Sequence, residues 1–307
     1  MRKIQFSGVE KSFLHETGLR GIHANIPYVT VENFPLLGLL TALRFIEWIS
    51  ENPKGVISLP TGKTPEYFIS WTNYLLEDWN SKKGKQIREK YGLGITKKPE
   101  LKNLHFVQID EFYPVSSMQH NSFCHYIRNF YIQGFGLDPD KALLIDCDGI
   151  KLPENRHFSE VFPDFRVDLS LRYREPSNTF ELIQQQSIFA IDNWCSDYET
   201  KIRNMGGIGF FLGGIGPDGH IAFNTKGSDH HSGTRLTSTN FETQAIAASD
   251  MGGIEISGKR LVITVGLGTI TYNPLTVAII IAAGEAKALM VRNALEQVPS
   301  NLYVHKF

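Results

Sequence analysis

VISLPTGKTPEYFISWTNYLL, residues 56–76, is the stretch that sets the fold class. Its first four residues form a short apolar run typical of a buried strand, and its last twelve predict a helix. A glycine turn joins the two, and Pro65 stands near the first turn of the helix, where its missing N–H leaves no hydrogen bond unmade. The stretch therefore predicts a strand–loop–helix unit whose backbone amides and helix dipole face a common point.

The ligand of this loop is open between two readings. Gly62-Lys63-Thr64 matches the end of a nucleotide-binding P-loop, but that loop needs a glycine five positions before Gly62, where Ile57 stands. Pro65 also interrupts the helix that a P-loop requires. A nucleotide is thus excluded, and the loop suits either a phosphate monoester or no ligand, as an ordinary β–α connection with a solvated lysine.

Further apolar runs alternate with helical patterns along the chain. Helices are predicted at residues 35–50, 122–136, 187–205 and 285–297. The remaining predicted strands are HFVQI (105–109), LLID (143–146), IGFFLGG (208–214), RLVITVGLG (260–268) and VAIIIAAG (277–284). Continuous apolar strands separated by helices predict an α/β fold of Rossmann-like type, with a mostly parallel central sheet and helices on both faces. We expect a single domain over 1–307, with an irregular surface insertion at about 149–180.

Composition narrows the class of protein. The 307-residue chain has a formal net charge of −1, which gives no support to nucleic-acid binding. No apolar segment is long enough to span a bilayer, and MRKIQFSGVEKSFLHE lacks the apolar region of a signal peptide. Its three cysteines, an odd number without metal-like spacing, indicate free thiols. We therefore expect a cytoplasmic protein without membrane or nucleic-acid partners, and homo-oligomer formation stays open.

Chemistry-bearing residues follow three of the predicted strands. Because ligands of open parallel sheets bind at the carboxyl ends of the strands, these residues are candidates for one site. Asp110 ends HFVQI at the rim of an apolar cleft, where it can act as a general base or, alternatively, as a helix cap. Asp218 and His220 flank a glycine after IGFFLGG and can form a carboxylate–imidazole pair, or a turn cap and a packed ring.

Two other motifs predict no ligand. GGIGPDGH contains the glycine spacing of a dinucleotide fingerprint, but no helical pattern follows its third glycine, Gly219. His230 and His231 are adjacent, so their side chains point to opposite sides of an extended chain and do not share a metal. There is also no G-x-S-x-G motif and no cysteine in the context of a nucleophile, so the sequence predicts proton transfer on a phosphorylated substrate without a covalent nucleophile.

Taken together, the motifs resemble the glucosamine-6-phosphate deaminase/isomerase family, whose wider group includes the 6-phosphogluconolactonases. The stretches that carry the resemblance are LPTGKTP (59–65), VQIDEFYP (107–114), FFLGGIGPDGHIAFN (210–224), LVITVGLGTI (261–270) and GEAKALMVRNALE (284–296). The resemblance implies a phosphosugar isomerase-type fold and conversion of an amino-sugar 6-phosphate to fructose 6-phosphate and ammonia. It implies no cofactor.

The resemblance also implies roles for individual residues. Asp110 matches the base that moves a proton between C2 and C1, His220 matches the histidine that opens the sugar ring, and Asp218 matches its orienting carboxylate. The residues expected to contact substrate or its phosphate are Thr61, Gly62, Lys63, Thr64, Arg235 and Lys287.

Two departures from the family pattern keep alternatives open. Thr225 stands where the family has a glutamate that completes a proton relay with the histidine, and Gln244 replaces an arginine. A 6-phosphogluconolactonase, an isomerase of another phosphosugar, and a non-catalytic sugar-phosphate-binding protein are therefore the remaining alternatives.

Overall fold

The structure, a computed structural model, describes residues 6–17 and 26–297. Its α-helices are α1 Gly8–Thr17, α2 Phe34–Glu51, α3 Glu66–Glu77, α4 Lys82–Lys90, α5 Phe123–Ile127, α6 Phe158–Val161, α7 Thr179–Asn204, α8 Phe241–Met251, α9 Ile254–Ser257, α10 Leu267–Ile270 and α11 Ala288–Glu296, and a π-helix, Arg128–Gln133, continues α5. Its strands are β1 Val56–Ser58, β2 His105–Val107, β3 Asp110–Tyr113, β4 Ala142–Leu143, β5 Phe210–Gly214, β6 Arg235–Ser238, β7 Leu261–Thr264 and β8 Val277–Ile281.

The central sheet has the order β4-β2-β1-β5-β8, and every pair in it is parallel. Successive side chains of a strand point to opposite faces, so the adjacent Phe210 and Phe211 enter separate cores. Phe210 packs in one core with residues of α2 and α3, and Phe211 packs in another with residues of α7. The predicted α/β architecture with helices on both faces is therefore confirmed.

A second, antiparallel sheet of order β3-β7-β6 corrects one prediction. RLVITVGLG reads as a strand of the parallel sheet, but its residues form β7, the middle strand of this small sheet. All four residues of β7 are buried, with Val262 in one core cluster and Ile263 in another. Because both faces of β7 are covered, its sequence is continuously apolar like that of a parallel strand.

The segment at about 149–180 is more than the surface excursion that the sequence suggests. It forms short helical turns, among them α6, and buries Leu152, Val161 and Leu171 in the core shared with α7. Arg172 pairs with Asp192 of α7 and donates from Nη2 to the carbonyl of Leu236 in β6 at 2.9 Å. This packing was not predicted from the sequence because the buried apolar residues are single and stand among charged residues at irregular spacing.

The carboxylate of Glu111 joins the small sheet to α5. It is fully buried in β3 and accepts hydrogen bonds from Ser122 Oγ (2.8 Å) and from the backbone N–H groups of Phe112 (3.0 Å), Phe123 (3.1 Å) and Cys124 (2.7 Å). Burial raises the pKa of Glu111 to about 7, and these hydrogen bonds act in the opposite direction. Since side chains alternate along a strand, the inward direction of Glu111 turns Asp110 to the other face.

Glu111→Gln should therefore lower the free energy of unfolding by about 3 kcal/mol. The amide keeps one acceptor oxygen but replaces the other with a donor, which leaves buried N–H groups unpaired at a cost of about 1–3 kcal/mol each. Urea denaturation measures the change, and Glu77→Gln, at an exposed position, is the control that should stay within about 0.5 kcal/mol of the wild type. Equal stability of the two variants would contradict the anchoring role.

Candidate active site

Most of the candidate residues follow four neighbouring strands of the central sheet. β2, β1, β5 and β8 are adjacent and parallel, so their carboxyl ends lie along one edge. Asp110 follows β2, the loop of residues 60–65 follows β1, the loop with Asp218 and His220 follows β5, and Lys287 follows β8. Binding at such an edge is the rule for open parallel sheets.

Asp110 is the first residue of β3 and lies opposite Thr264 of β7, which in turn lies opposite Arg235 of β6. Residues paired across strands point to the same face, so these three side chains share one face of the small sheet. Burial, and next the charge of neighbouring Glu111, raise the pKa of Asp110 to about 8. This pKa suits a base that must accept a proton from carbon near neutral pH.

The loop after β5 holds Asp218 and His220 in a defined pair. Nδ1 of His220 lies 2.6 Å from Oδ1 of Asp218, and the backbone N–H of Gly216 donates to the carbonyl of His220 at 2.9 Å. The loop turns through Gly219, whose φ is +91°. The imidazole covers Gly216 so closely that a Cβ there would lie 2.3 Å from the ring. With Nδ1 directed at a carboxylate, Nε2 is the nitrogen left for proton transfer.

Asn240 is a site residue that sequence reasoning missed. It caps α8 by accepting a hydrogen bond from the backbone N–H of Thr243 at 3.0 Å, and its Nδ2 donates to Oδ2 of Asp218. Burial raises the pKa of Asp218, but the hydrogen bond and charge of His220 and the hydrogen bond from Asn240 outweigh burial and lower this pKa to about 2. The sequence signal available was the asparagine before a helical pattern, which predicts a cap and gives no hint of the second contact.

Two tyrosine hydroxyls donate hydrogen bonds to the loop after β1. Tyr131 donates from its hydroxyl to the carbonyl of Pro60 at 2.5 Å, and Tyr126 donates to the carbonyl of Gly62 at 3.1 Å. Gly62 has a φ of +83°, which explains the glycine at this turn. Thr61 is half-buried and Lys63 is exposed, so the loop offers both a hydroxyl and a cation at the sheet edge.

Thr64 lies near the end of β5, because a Cβ placed on Gly214 would lie 3.8 Å from its side chain. Thr264 links the loop after β5 to the small sheet, because its Oγ1 accepts a hydrogen bond from the backbone N–H of Phe223 at 3.0 Å. The loop carrying His220 is thereby attached to the strand that pairs with Asp110.

The two other predicted cations lie at different parts of the site. Lys287 is half-buried just before α11, and burial lowers its pKa. Arg235 donates to Ser232 Oγ at 3.1 Å and Ser228 Oγ at 3.2 Å, and burial lowers its pKa too. Lys287 follows a central strand, like the loop after β1, whereas Arg235 belongs to the small sheet that carries Asp110.

Asn224 and Thr225 end the loop of His220. The buried Asn224 donates from Nδ2 to the carbonyls of Ile221 (3.0 Å) and Val265 (2.9 Å), so it holds the loop against the end of β7. Thr225 is half-buried, and its carbonyl accepts from the backbone N–H of Ser228 at 3.0 Å. The asparagine therefore has a structural part in this chain.

Neither a metal cluster nor a membrane span is found among residues 6–17 and 26–297. These residues contain no group of three or more His, Cys, Asp or Glu side chains that could hold a metal ion. They also contain no helix that combines the length and apolar character needed to cross a bilayer.

Curated relatives confirm the resemblance indicated by the motifs. The chain is 41% identical over 114 residues to a glucosamine-6-phosphate deaminase of Borrelia hermsii, covering 37% of this chain and 42% of the relative. It is 41% identical over 143 residues to that of Caenorhabditis elegans, covering 46% of this chain and 52% of the relative. The chain thus spans about half the length of the curated relatives it matches. No protein-family model matches it.

Solved structures share the fold. A monomeric glucosamine-6-phosphate deaminase superposes with a TM-score of 0.64 at 22% identity, covering 89% of this chain and 88% of that one. A 6-phosphogluconolactonase from Trypanosoma cruzi superposes with a TM-score of 0.56 at 16% identity, covering 90% of this chain and 87% of that one. The fold is therefore the one common to these deaminases and lactonases.

Gly216→Ala should displace the imidazole of His220, because the added methyl would occupy the position of the ring. We expect the low-field proton resonance of the Nδ1–H···Asp218 hydrogen bond to disappear from NMR spectra. Gly214→Ala is the matched control, since its methyl would make only ordinary contact with Thr64. Retention of this resonance in both variants would show that the ring does not pack on Gly216.

Proposed function

We propose that this protein is a glucosamine-6-phosphate deaminase/isomerase, which converts glucosamine 6-phosphate and water to fructose 6-phosphate and ammonia. The proposal rests on one observation. Asp110, a carboxyl with raised pKa, and the Asp218–His220 pair follow strands that lie close together in the parallel sheet. The relatives named glucosamine-6-phosphate deaminase support the choice of substrate. We expect the protein to act in the cytoplasm, and homo-oligomer formation remains a prediction.

Ring opening is the first step of the proposed mechanism. His220 Nε2 takes the proton of the C1 hydroxyl and returns it to the ring oxygen as the bond between that oxygen and C1 breaks. Asp218 stabilises the imidazolium formed in between. The product is the open-chain aldehyde.

Isomerisation follows at C2. Asp110 accepts the C2 proton, the electron pair of that C–H bond forms a double bond between C1 and C2, and the carbonyl oxygen takes a proton from water. Asp110 returns its proton to C1 of the resulting enolamine, which moves the double bond to C2 and nitrogen. Water then adds to C2, ammonia leaves with one proton of that water, and the other proton returns to solvent as the ketose forms. The substrate's own amine provides the electron pair, so the steps need no cofactor.

The phosphate would bind between the loop after β1 and Lys287. Thr61, Gly62 and Thr64 offer hydroxyl and backbone donors, and Lys63 and Lys287 offer positive charge. The two segments follow strands on either side of β5, so a bound sugar phosphate would extend along the sheet edge toward His220. Arg235 is a further candidate contact for the substrate, on the face shared with Asp110.

Thr225 favours a second candidate of the same fold. Threonine does not titrate near neutral pH, so it cannot replace a relay carboxylate beside His220. A 6-phosphogluconolactonase needs no proton removal at C2, and its fold is shared here. A protein that binds sugar phosphates without turnover is the third candidate.

A panel of hexose and hexosamine 6-phosphates, together with 6-phosphogluconolactone, separates the three candidates. We expect ammonia and ketose to appear in equal amounts from glucosamine 6-phosphate. Acid release from the lactone without ammonia would instead identify a lactonase, and saturable binding without any product would identify a binding protein. Either outcome would overturn the deaminase proposal.

Asp110→Asn should lower kcat for ammonia release by about 10²–10⁴-fold, because the amide cannot accept the C2 proton. Sugar-phosphate binding should survive. In the wild type, kcat/KM should rise with pH through about 8 as the carboxyl ionises.

The stability of Asp110→Asn is the control for its loss of activity. The pKa of Asp110 rises from its ordinary value of 3.8 to about 8 on folding, so its contribution to stability is full below 3.8 and is lost as pH rises toward 8. Asp110→Asn should thus be at least as stable as the wild type at pH 9. Wild-type turnover in a folded variant would mean that the base lies elsewhere.

Lys63→Ala and Lys287→Ala should each raise KM for a sugar phosphate by about 10-fold and change kcat less, since each removes one ground-state contact with the phosphate. Steady-state kinetics measures both constants, and Lys54→Ala, exposed at the opposite end of β1, is the control. The loop assignment fails if KM is unchanged in both variants, or if ATP binds in a manner that depends on Lys63.

A further inference from the structure

The side chain of Asn240 uses both ends of its amide. Oδ1 accepts the backbone N–H of Thr243 at 3.0 Å, which caps α8, and Nδ2 donates to Oδ2 of Asp218. The cap fixes which amide atom faces which partner, because a backbone N–H can bond only to the oxygen. Asn240 therefore presents an N–H to the carboxylate.

Asp218 is held at both oxygens as a result. Its Oδ1 faces Nδ1 of His220 at 2.6 Å, and its Oδ2 faces Asn240. Two contacts on opposite oxygens fix the plane of the carboxylate, and that plane fixes the imidazole that it binds. The first turn of α8 also brings Thr243 Oγ1 to 3.4 Å from Nδ1 of the ring.

Among the described residues, Asp218 is the carboxylate within hydrogen-bond distance of the His220 ring. Asn240 and Thr243 add uncharged contacts from α8, and the ring of Phe223 lies 5.9 Å from the imidazole, centroid to centroid. Glu242, the acidic residue in the first turn of α8, is exposed. The backbone N–H of His220 lies 3.5 Å from Oδ1 of Asp218, and Asn240 contacts the other oxygen, so Asn240 can orient Asp218 without adding charge.

We propose that Asn240 is a positioning residue that holds Asp218 and, through it, keeps His220 with its proton on Nδ1 and Nε2 free to take a proton. The catalytic consequence of this inference rests on the proposed function. A residue that only caps α8 would not need an N–H directed at Asp218.

Three substitutions separate positioning from capping. Asn240→Asp is an equally good cap but replaces the donor with a second carboxylate beside Asp218. Asn240→Ser also caps the helix, and its shorter side chain lacks the amide N–H that reaches Asp218, without adding charge. Asn240→Ala removes both contacts, so the difference in stability between it and Asn240→Ser, which keeps the cap, gives the contribution of the cap.

We expect kcat to fall by about 10-fold in Asn240→Ser, the effect of removing one hydrogen bond to a charged group, with KM within about twofold of the wild type. The kcat of Asn240→Asp should fall further, because the carboxylates of Asp218 and of the new aspartate repel each other. If Asn240 only caps the helix, Asn240→Asp will instead match the wild type in kcat, and this result would overturn the inference.

A spectroscopic measurement tests the inference without substrate. We expect ¹⁵N spectra of His220 to show the Nδ1–H tautomer in the wild type and a mixture of tautomers in Asn240→Ser. The carboxyl ¹³C titration of Asp218 should move to higher pH in this variant, because one of the hydrogen bonds that lower its pKa is gone. If the spectra of Asn240→Ser equal those of the wild type, Asn240 does not position Asp218, whether or not substrate is turned over. If the spectra change but the wild type releases no ammonia, only the proposed function is refuted.

Discussion

The buried carboxylate of Glu111 is the interaction on which the site depends. By accepting hydrogen bonds from Ser122, Phe123 and Cys124, it attaches the first turn of α5 to β3. Adjacent residues of a strand face opposite sides, so anchoring Glu111 directs Asp110 toward the face it shares with Thr264 and Arg235. Two neighbouring acids thereby differ in environment, and one has a structural part while the other is available for chemistry.

The order of the parallel strands turns these local arrangements into one site. Because β2, β1, β5 and β8 are neighbours, segments separated by more than a hundred residues end at the same edge of the sheet. The small antiparallel sheet is attached to this edge, because Thr264 of β7 accepts a hydrogen bond from Phe223 of the His220 loop and Val265, the next residue, accepts one from Asn224. The groups proposed for proton transfer and those proposed for phosphate binding therefore follow different strands of one sheet edge.

Sequence reasoning succeeded where a residue's environment is set by its own strand or turn. The parallel strands and the contact between Asp218 and His220 both follow from patterns a few residues long. It failed where the deciding contact is distant in the chain. The sequence of β7 resembles that of a parallel strand because both of its faces are buried. In the segment at about 149–180, the apolar residues that enter the core are single and stand among charged residues. The contact of Asn240 with Asp218 joins residues 22 positions apart.

The central claim is that the protein removes the hydrogen at C2 of an amino-sugar phosphate. Its most direct test is the fate of deuterium in glucosamine 6-phosphate labelled at C2, followed by ²H NMR alongside ammonia release. The account predicts that the C2 signal disappears in the presence of the protein, at a rate no lower than that of ammonia release. Deuterium that stays at C2, in a protein that is folded and binds the sugar phosphate, would contradict it.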